Sequence, residues 1–301
     1  MRERAFVREV GLRDGLQLVR SPLPTENKIA WIQREAAAGI AEIEVTSFVP
    51  ERTFPQFADA EAIVAAALED GRFTASGLVV NEKGADRAFR SGLGSINYVV
   101  SASEAHSRAN VGRSTSEACA ILREMCQRRS GEKPIRIACG IATAFGCSLQ
   151  GEVASGTVLD LAETILECGV DEIFLADTVG YASPLMVRER FAALMAMIPA
   201  NVAVGAHFHD TRGLGLANVL AACEAGVRRF DASLGGLGGC PFAPGATGNI
   251  DTEDCAFLLA SLGFETGIDL DRLLAVRADL GGWLPNERLS GALFKAGLPR
   301  R

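Results

Sequence analysis

Two of the three histidines in this 301-residue chain are separated by a single residue, in the segment HFHD at positions 207–210. The segment ends an apolar stretch, VAVGAHF, that is typical of a buried β-strand. Because alternate side chains of a strand point to the same face, His207 and His209 should project together and Phe208 should project the other way. Two neutral imidazoles at this spacing can share one cation, and a pair of hydrogen-bonded core histidines would show the same pattern.

A second polar segment, RDG at 13–15, follows the first apolar stretch of the chain. Arg13 offers a rigid fork of donors that suits an oxyanion or a carboxylate. Asp14 adds a carboxylate oxygen, and together with imidazoles and an amide oxygen it would favour Mg²⁺ or Mn²⁺ over structural zinc. The motif is short, and a strand-to-helix turn in which Asp14 is a local cap explains it equally well.

Carboxylates in the predicted strands supply further candidates, namely Glu9, Glu44 and Asp177. Each could orient Arg13 or an imidazole, or form a plain structural salt bridge. The four lysines, at positions 28, 83, 133 and 295, all lie outside the predicted strands. A Schiff-base mechanism needs a desolvated lysine that faces the substrate. We therefore expect any carbon–carbon bond chemistry in this chain to rely on a metal.

The elements that must position these residues alternate along the whole chain. Short apolar runs predict strands near residues 4–12, 42–47, 73–79, 95–101, 135–141, 172–177, 202–208 and 229–233. Helical patterns such as TENKIAWIQREAAAG separate them and end at glycine. We predict an α/β fold, a (β/α)8 TIM barrel, as a single catalytic domain over residues 1–301 with a short C-terminal helical extension from about residue 270. The alternative is an open doubly wound sheet, but this chain has no GxGxxG segment after its first predicted strand.

Composition limits the class of protein. The net charge of −7 argues against nucleic acid as the main partner. No apolar run approaches the roughly 20 residues that span a bilayer, and the N-terminus has no secretory pattern. Eight cysteines occur without a CxxC pair, which predicts reduced thiols and no disulfide framework. We expect a cytoplasmic enzyme with no membrane segment.

Five segments resemble the 3-hydroxy-3-methylglutaryl-CoA (HMG-CoA) lyases, from about residue 5 to residue 275 and in the same order. They are VREVGLRDGLQ (7–17), EIEVTSFVP (42–50), ADTVGYASP (176–184), HFHDTRGLGLAN (207–218) and SLGGLGGCPFAPGATGN (233–249). The last block, rich in glycine and centred on Cys240, is the most specific. The family belongs to a superfamily of metal-dependent lyases and synthases with a TIM-barrel fold.

The resemblance implies a role for each matching position. Asp14, His207, His209 and Asn249 match the ligands of an octahedral Mg²⁺ or Mn²⁺. The resemblance further implies that Arg13 stabilises an enolate, that Cys240 transfers a proton and that Glu44 and Asp177 are acids of the site, with His207 a candidate base. Candidates for contacts with the substrate are Arg13, Gln17, Ser47, Arg108 and Asn110. The glycines around Cys240 would let the loop close over the substrate.

The expected reaction is a metal-assisted retro-Claisen cleavage of (S)-3-hydroxy-3-methylglutaryl-CoA to acetyl-CoA and acetoacetate, as in leucine degradation and ketone-body formation. This chain reads RDGLQLVR where the family pattern reads RDGLQNEK, so the acyl group stays open. A lyase for citramalyl-CoA or isohexenylglutaryl-CoA is the alternative. Two further alternatives are a condensing synthase of the isopropylmalate or homocitrate type and a catalytically silent barrel that merely binds acyl-CoA or metal. We expect an acyl-CoA substrate and a homodimer or higher homo-oligomer.

Overall fold

Eight parallel strands form a closed barrel in sequence order. The computed structural model describes residues 2–129, 135–239 and 248–300. The strands are β1 (Phe6–Glu9), β2 (Glu42–Ser47), β3 (Thr74–Leu78), β4 (Ser95–Ser101), β5 (Arg136–Ala142), β6 (Glu172–Asp177), β7 (Ala203–Phe208) and β8 (Arg229–Ala232). The predicted TIM barrel is confirmed, and seven of the eight strands match their predicted bounds to within one residue at either end.

Helices connect the strands and surround the barrel. In chain order they are α1 (Thr25–Ala37), α2 (Ala60–Asp70), α3 (Glu82–Ser91), α4 (Glu104–Val111), α5 (Thr115–Arg128), α6 (Ser155–Glu167), α7 (Pro184–Met197), α8 (Gly215–Glu224), α9 (Thr252–Ser261), α10 (Leu270–Trp283) and α11 (Ala292–Ala296). Helix α10 packs against α1, and α11 packs against α9. None of the helices in the described ranges is both long and apolar enough to cross a bilayer.

The first strand is shorter than predicted, and its end forms the turn that carries two site residues. Strand β1 ends at Glu9, and residues Gly11–Gly15 wind into a π-helical turn. The carbonyl oxygen of Val10 accepts the backbone N–H groups of Arg13, Asp14 and Gly15 at 3.1, 2.7 and 3.3 Å. The sequence predicts that residues 10–12 continue the strand, but the chain turns here instead. The turn is possible because the carbonyl oxygen of Val10 accepts three backbone amides that would otherwise lack partners.

The barrel wall separates an aromatic layer from a polar interior. Phe208 lies outside, where its ring centroid is 6.0 Å from that of Phe145 and 6.4 Å from that of Phe191 on α7. Its neighbours His207 and His209 lie inside, as the strand alternation predicts. Aromatic burial on the outer face thus fixes which face of β7 carries the imidazoles.

Candidate metal centre

Asp14, His207 and His209 meet at the carboxyl end of the barrel. Their ligand atoms all lie within 4.8 Å of one another, so the three side chains could hold a metal ion. The Nε2 atoms of the two imidazoles are 3.2 Å apart, and Nε2 of His209 is 3.9 Å from Oδ2 of Asp14. These three residues come from the turn after β1 and from the end of β7. Asp14 and His207 are 193 positions apart in the sequence.

Asn249 completes this cluster from the far end of the glycine-rich segment. Its Nδ2 donates to Oδ2 of Asp14 at 2.8 Å and to the carbonyl oxygen of Leu237 at 3.1 Å. Its Oδ1 is buried and has no hydrogen-bond partner among the residues that the structure describes. An orphaned buried amide oxygen beside a carboxylate and two imidazoles fits a divalent cation that accepts oxygen and nitrogen ligands.

The electrostatics keep Asp14 ionised. Burial by itself would raise the pKa of the carboxyl, but the Arg13 guanidinium and the adjacent imidazoles outweigh burial and hold the pKa well below its usual range. Arg13 Nη1 donates to Oδ1 of Asp14 at 2.6 Å. The opposite oxygen, Oδ2, faces Asn249 and His209 and is the one oriented toward the cluster.

Arg13 is held from its other side by Glu44 on β2. Its Nε donates to Oε2 of Glu44. Oε1 of Glu44 accepts from Nδ2 of Asn97 at 2.6 Å, and Asn97 lies on β4. Two carboxylates therefore fix the guanidinium beside the cluster, where it can meet negative charge that develops on a bound substrate. Sequence reasoning missed Asn97, since a lone amide in an apolar strand gives no signal.

His207 has a buried carboxylate partner that sequence reasoning also missed. Oδ2 of Asp231 lies 3.2 Å from Nδ1 of His207, and Oδ1 of Asp231 accepts from Nε of Arg8 at 2.8 Å. Burial would raise the pKa of the Asp231 carboxyl, but Arg8 and His207 lower it to about 2. The only sequence signal was a charged residue in the predicted strand 229–233.

Two of the predicted acids lie in buried positions but contact backbone. Asp177, at the end of β6, accepts the backbone N–H groups of Tyr181 and Ala182 at 2.7 and 3.1 Å, and burial raises its pKa. Glu9 accepts the N–H groups of Gly11 and Leu234 with one oxygen and the hydroxyl of Thr252, at 2.6 Å, with the other. In their described contacts both carboxylates tie loops together at the barrel rim.

The other predicted contacts are spread around the rim. Ser47 is buried at the end of β2, and Gln17 is half-buried in the short 3-10 turn Leu16–Leu18. Arg108 and Asn110 are exposed on α4, and Arg108 pairs with Glu104 at 2.7 Å. Arg108 also lines a cleft of about 700 Å³ between α4, α5 and α6. Cys240 lies outside the described residues.

A closed barrel that gathers a carboxylate, two imidazoles, an amide and a clamped arginine at its carboxyl edge is an enzyme with a possible metal site. The model of the HMGL-like family matches residues 5–280. The chain therefore belongs to the HMGL-like family. The family membership, the fold and the enzymatic nature that the sequence predicts are thus confirmed.

Named relatives cover nearly the whole chain. It is 37% identical over 298 residues to the hydroxymethylglutaryl-CoA lyase of Bacillus subtilis, covering 98% of each chain. It is 39% identical to the (R)-citramalyl-CoA lyase of Chloroflexus aurantiacus, covering 94% of this chain and 93% of the relative. An HMG-CoA lyase of Acinetobacter baumannii, solved with coenzyme A and 3-methylmalate, is 38% identical with a TM-score of 0.91, covering 99% of this chain and 98% of that one.

Proposed function

We propose that this enzyme is a divalent-metal-dependent HMG-CoA lyase that cleaves (S)-3-hydroxy-3-methylglutaryl-CoA to acetyl-CoA and acetoacetate. The observation that carries the proposal is the meeting of Asp14, His207 and His209 beside Arg13 at the carboxyl edge of the barrel. Family membership supports the class of reaction, and relatives named for HMG-CoA support the acyl group.

In this proposal Asp14, His207, His209 and Asn249 hold Mg²⁺ or Mn²⁺. Bound there, the ion supplies Lewis acidity toward the oxygens of the substrate. The donor set supports this choice, because two of the four side chains offer oxygen and the buried Oδ1 of Asn249 has no partner within the described part of the chain.

The residues of the chain handle the charge and the protons. A base removes the proton of the C3 hydroxyl, the C2–C3 bond breaks, and C3 becomes the ketone of acetoacetate. The bonding pair passes to C2 as the enolate of acetyl-CoA, which Arg13 stabilises from its position between Glu44 and Asp14. Cys240 then gives a proton to C2, since a thiol can be tuned to titrate near neutral pH.

The base is His207 or a water held by the carboxylates of the site. Nδ1 of His207 already faces Asp231, so only Nε2 is available to the substrate or to the ion. In a given step Nε2 of His207 can therefore either bind the ion or accept the proton of the substrate, but it cannot do both. This either–or choice follows from the contact and does not depend on the identity of the substrate.

The relative named for citramalyl-CoA supports a second substrate, since its identity of 39% is similar to that of the HMG-CoA lyases. Cleavage of the corresponding bond of citramalyl-CoA yields acetyl-CoA and pyruvate. The test is to incubate the enzyme and Mn²⁺ with each thioester and to measure acetoacetate and pyruvate. Acetoacetate from HMG-CoA supports the proposal. Pyruvate from citramalyl-CoA, without acetoacetate from HMG-CoA, keeps the reaction class and overturns the acyl group.

We further propose that residues 1–301 act as one catalytic domain, in the cytoplasm and as a homodimer or higher homo-oligomer. Light scattering on the purified protein tests the oligomeric state, and a monomer at working concentrations would contradict it. Fractionation of the source cells tests the compartment.

A further inference from the structure

A line of three polar side chains crosses the barrel interior beneath the candidate metal centre. Arg8 on β1 is the direct register partner of Asp231 on β8, and Asp231 is the register partner of His207 on β7. All three residues are less than one-tenth exposed. Neighbouring positions in register point to the same face of the barrel wall, so the closure of β8 between β7 and β1 places them side by side.

Both oxygens of Asp231 are engaged. Oδ1 accepts the Nε–H of Arg8 at 2.8 Å, and Oδ2 lies 3.2 Å from Nδ1 of His207. A carboxylate paired with a guanidinium is ionised and only accepts hydrogen bonds. The hydrogen between Asp231 and His207 therefore belongs to Nδ1 of the ring, and a neutral His207 has its lone pair on Nε2.

Arg8 is itself fixed on the side away from Asp231. Its Nη1 lies 3.1 Å from Oε1 of Glu172 on β6, and its guanidinium stacks 5.2 Å from the centre of the Phe174 ring. Glu172 also pairs with Arg229 at 3.3 Å. Because Arg8 has partners on two strands and a ring beneath it, it presents Nε to Asp231 in one orientation.

His209 differs from His207 in this respect. Its Nδ1 is buried and finds no hydrogen-bond partner among the described residues, whereas its Nε2 lies 3.2 Å from Nε2 of His207. Two bare nitrogens at that distance would repel each other, so one of them carries a hydrogen when no ion is bound. Since His207 already holds its hydrogen on Nδ1, the one between the rings belongs to Nε2 of His209.

We propose that Asp231 and Arg8 are positioning residues that hold His207 as the Nδ1–H tautomer, so that Nε2 offers a lone pair before any cation arrives. The role of this tautomer in metal binding rests on the proposed function. The assignment of the tautomer itself rests only on the contacts of Asp231. His209 is the ring that changes tautomer on binding. The pair thus consists of one ligand fixed in advance and one that adapts.

The wild-type protein tests the tautomer directly. With only three histidines in the chain, ¹⁵N-detected imidazole spectra can be assigned through His207→Gln, His209→Gln and His106→Gln variants. In metal-free protein at mildly alkaline pH, we expect hydrogen on Nδ1 of His207 and on Nε2 of His209. Mg²⁺ should move the hydrogen of His209 to Nδ1 and leave His207 unchanged. Hydrogen on Nε2 of His207 in the metal-free protein overturns the proposal.

Asp231→Asn tests the cause of the tautomer. The amide can donate to Nδ1 of His207, so the hydrogen of the ring should move to Nε2, and Mn²⁺ affinity measured by calorimetry should fall about 10–100-fold. Asp86→Asn is the matched control, since Asp86 on α3 pairs with Arg128 on α5, outside the barrel wall, and should change neither result. An Asp231→Asn protein with the wild-type tautomer and Mn²⁺ affinity refutes the assignment.

Two further outcomes are distinguishable. If Asp231→Asn fails to fold, Arg8→Lys is the second variant. It keeps the positive charge but loses the guanidinium that joins Asp231 to Glu172. Mn²⁺ affinity should then fall, but by less than tenfold. Unchanged spectra and a fall as large as that expected for Asp231→Asn would contradict the role of Arg8. If wild-type protein binds no Mn²⁺ yet shows the expected tautomers, the proposed metal site fails and the tautomer assignment stands.

Discussion

Nε2 of His207 and Nε2 of His209 lie 3.2 Å apart in the barrel interior, close enough that both cannot be bare in the absence of a cation. A divalent ion held by the two imidazoles would remove this conflict, since a ligand nitrogen carries no hydrogen. The spacing is set by β7, which places alternate residues on the same face.

Substituting His209 with alanine should weaken Mn²⁺ binding by more than about tenfold, since even outer partners of metal ligands cost about 10–100-fold. Titration calorimetry with Mn²⁺ measures the change. His106→Gln is the matched control, because His106 is a buried histidine bonded to Ser101 on a different strand. Equal affinities for the two variants would exclude His209 as a ligand.

Replacing Arg13 with lysine keeps the charge but removes the fork that bridges Glu44 and Asp14. We expect kcat for HMG-CoA to fall about 10²–10³-fold, the effect typical of losing one donor to a developing oxyanion. Steady-state kinetics and Mn²⁺ titration together check this. A loss of Mn²⁺ binding that accounts for the whole effect would show that Arg13 acts only by placing Asp14.

The Cys240→Ala variant should lose most of its turnover and keep its Mn²⁺ affinity, because we assign the thiol to proton transfer and not to the metal. Cys223→Ala is the control. Cys223 is buried on α8, burial raises the pKa of its thiol to about 11, and it is therefore protonated at neutral pH. Wild-type turnover of Cys240→Ala would end the assignment.

Stability should decrease as pH rises from about 4.5 toward 8 because of Glu253. Burial and the nearby Asp251 raise the pKa of its carboxyl to about 8, so in this range the folded protein holds a proton that the unfolded chain has released. In the Glu253→Gln variant the decrease in the free energy of unfolding between pH 5 and pH 8.5 should be smaller by at least about 1.4 kcal/mol, the equivalent of one pKa unit. Urea unfolding at pH 5 and at pH 8.5 measures the effect.

The exposed Glu163 on α6 supplies the comparison for this pH dependence. Glu163→Gln should leave the pH dependence of the unfolding free energy as it is in the wild type. If Glu253→Gln changes stability equally at both pH values, its effect comes from the contacts with Gly235 and Arg277 and not from titration.

The strands could be predicted because buried parallel strands are short apolar runs, and most of the helices between them are followed by glycine within two residues. Gly39 shows why: it has φ 93°, and a Cβ there would lie 2.2 Å from the carbonyl oxygen of Gly267. The end of β1 could not be predicted, because the π-helical turn depends on three amides that converge on Val10. The letters RDG are compatible with a turn at residues 13–15, but they do not show that the turn already begins at Gly11.

The cluster of Asp14, His207 and His209 could be predicted from spacing and from resemblance. Asp231 could not, since its partners Arg8 and His207 are 223 and 24 residues away and become neighbours only when β8 closes the barrel. Asp177 illustrates the converse. Its position at a strand end predicts chemistry, whereas its described hydrogen bonds go to the backbone of the following loop.

The hydrogen bond between Asn249 and Asp14 spans 235 positions of the chain, and it crosses the seam at which the first strand meets the last. A refolding or newly made chain therefore cannot assemble this cluster until residue 249 has joined the barrel. Ion binding would then report that this seam of the barrel has closed. Time-resolved Mn²⁺ uptake during refolding should not precede the phase in which residue 249 reaches the turn after β1.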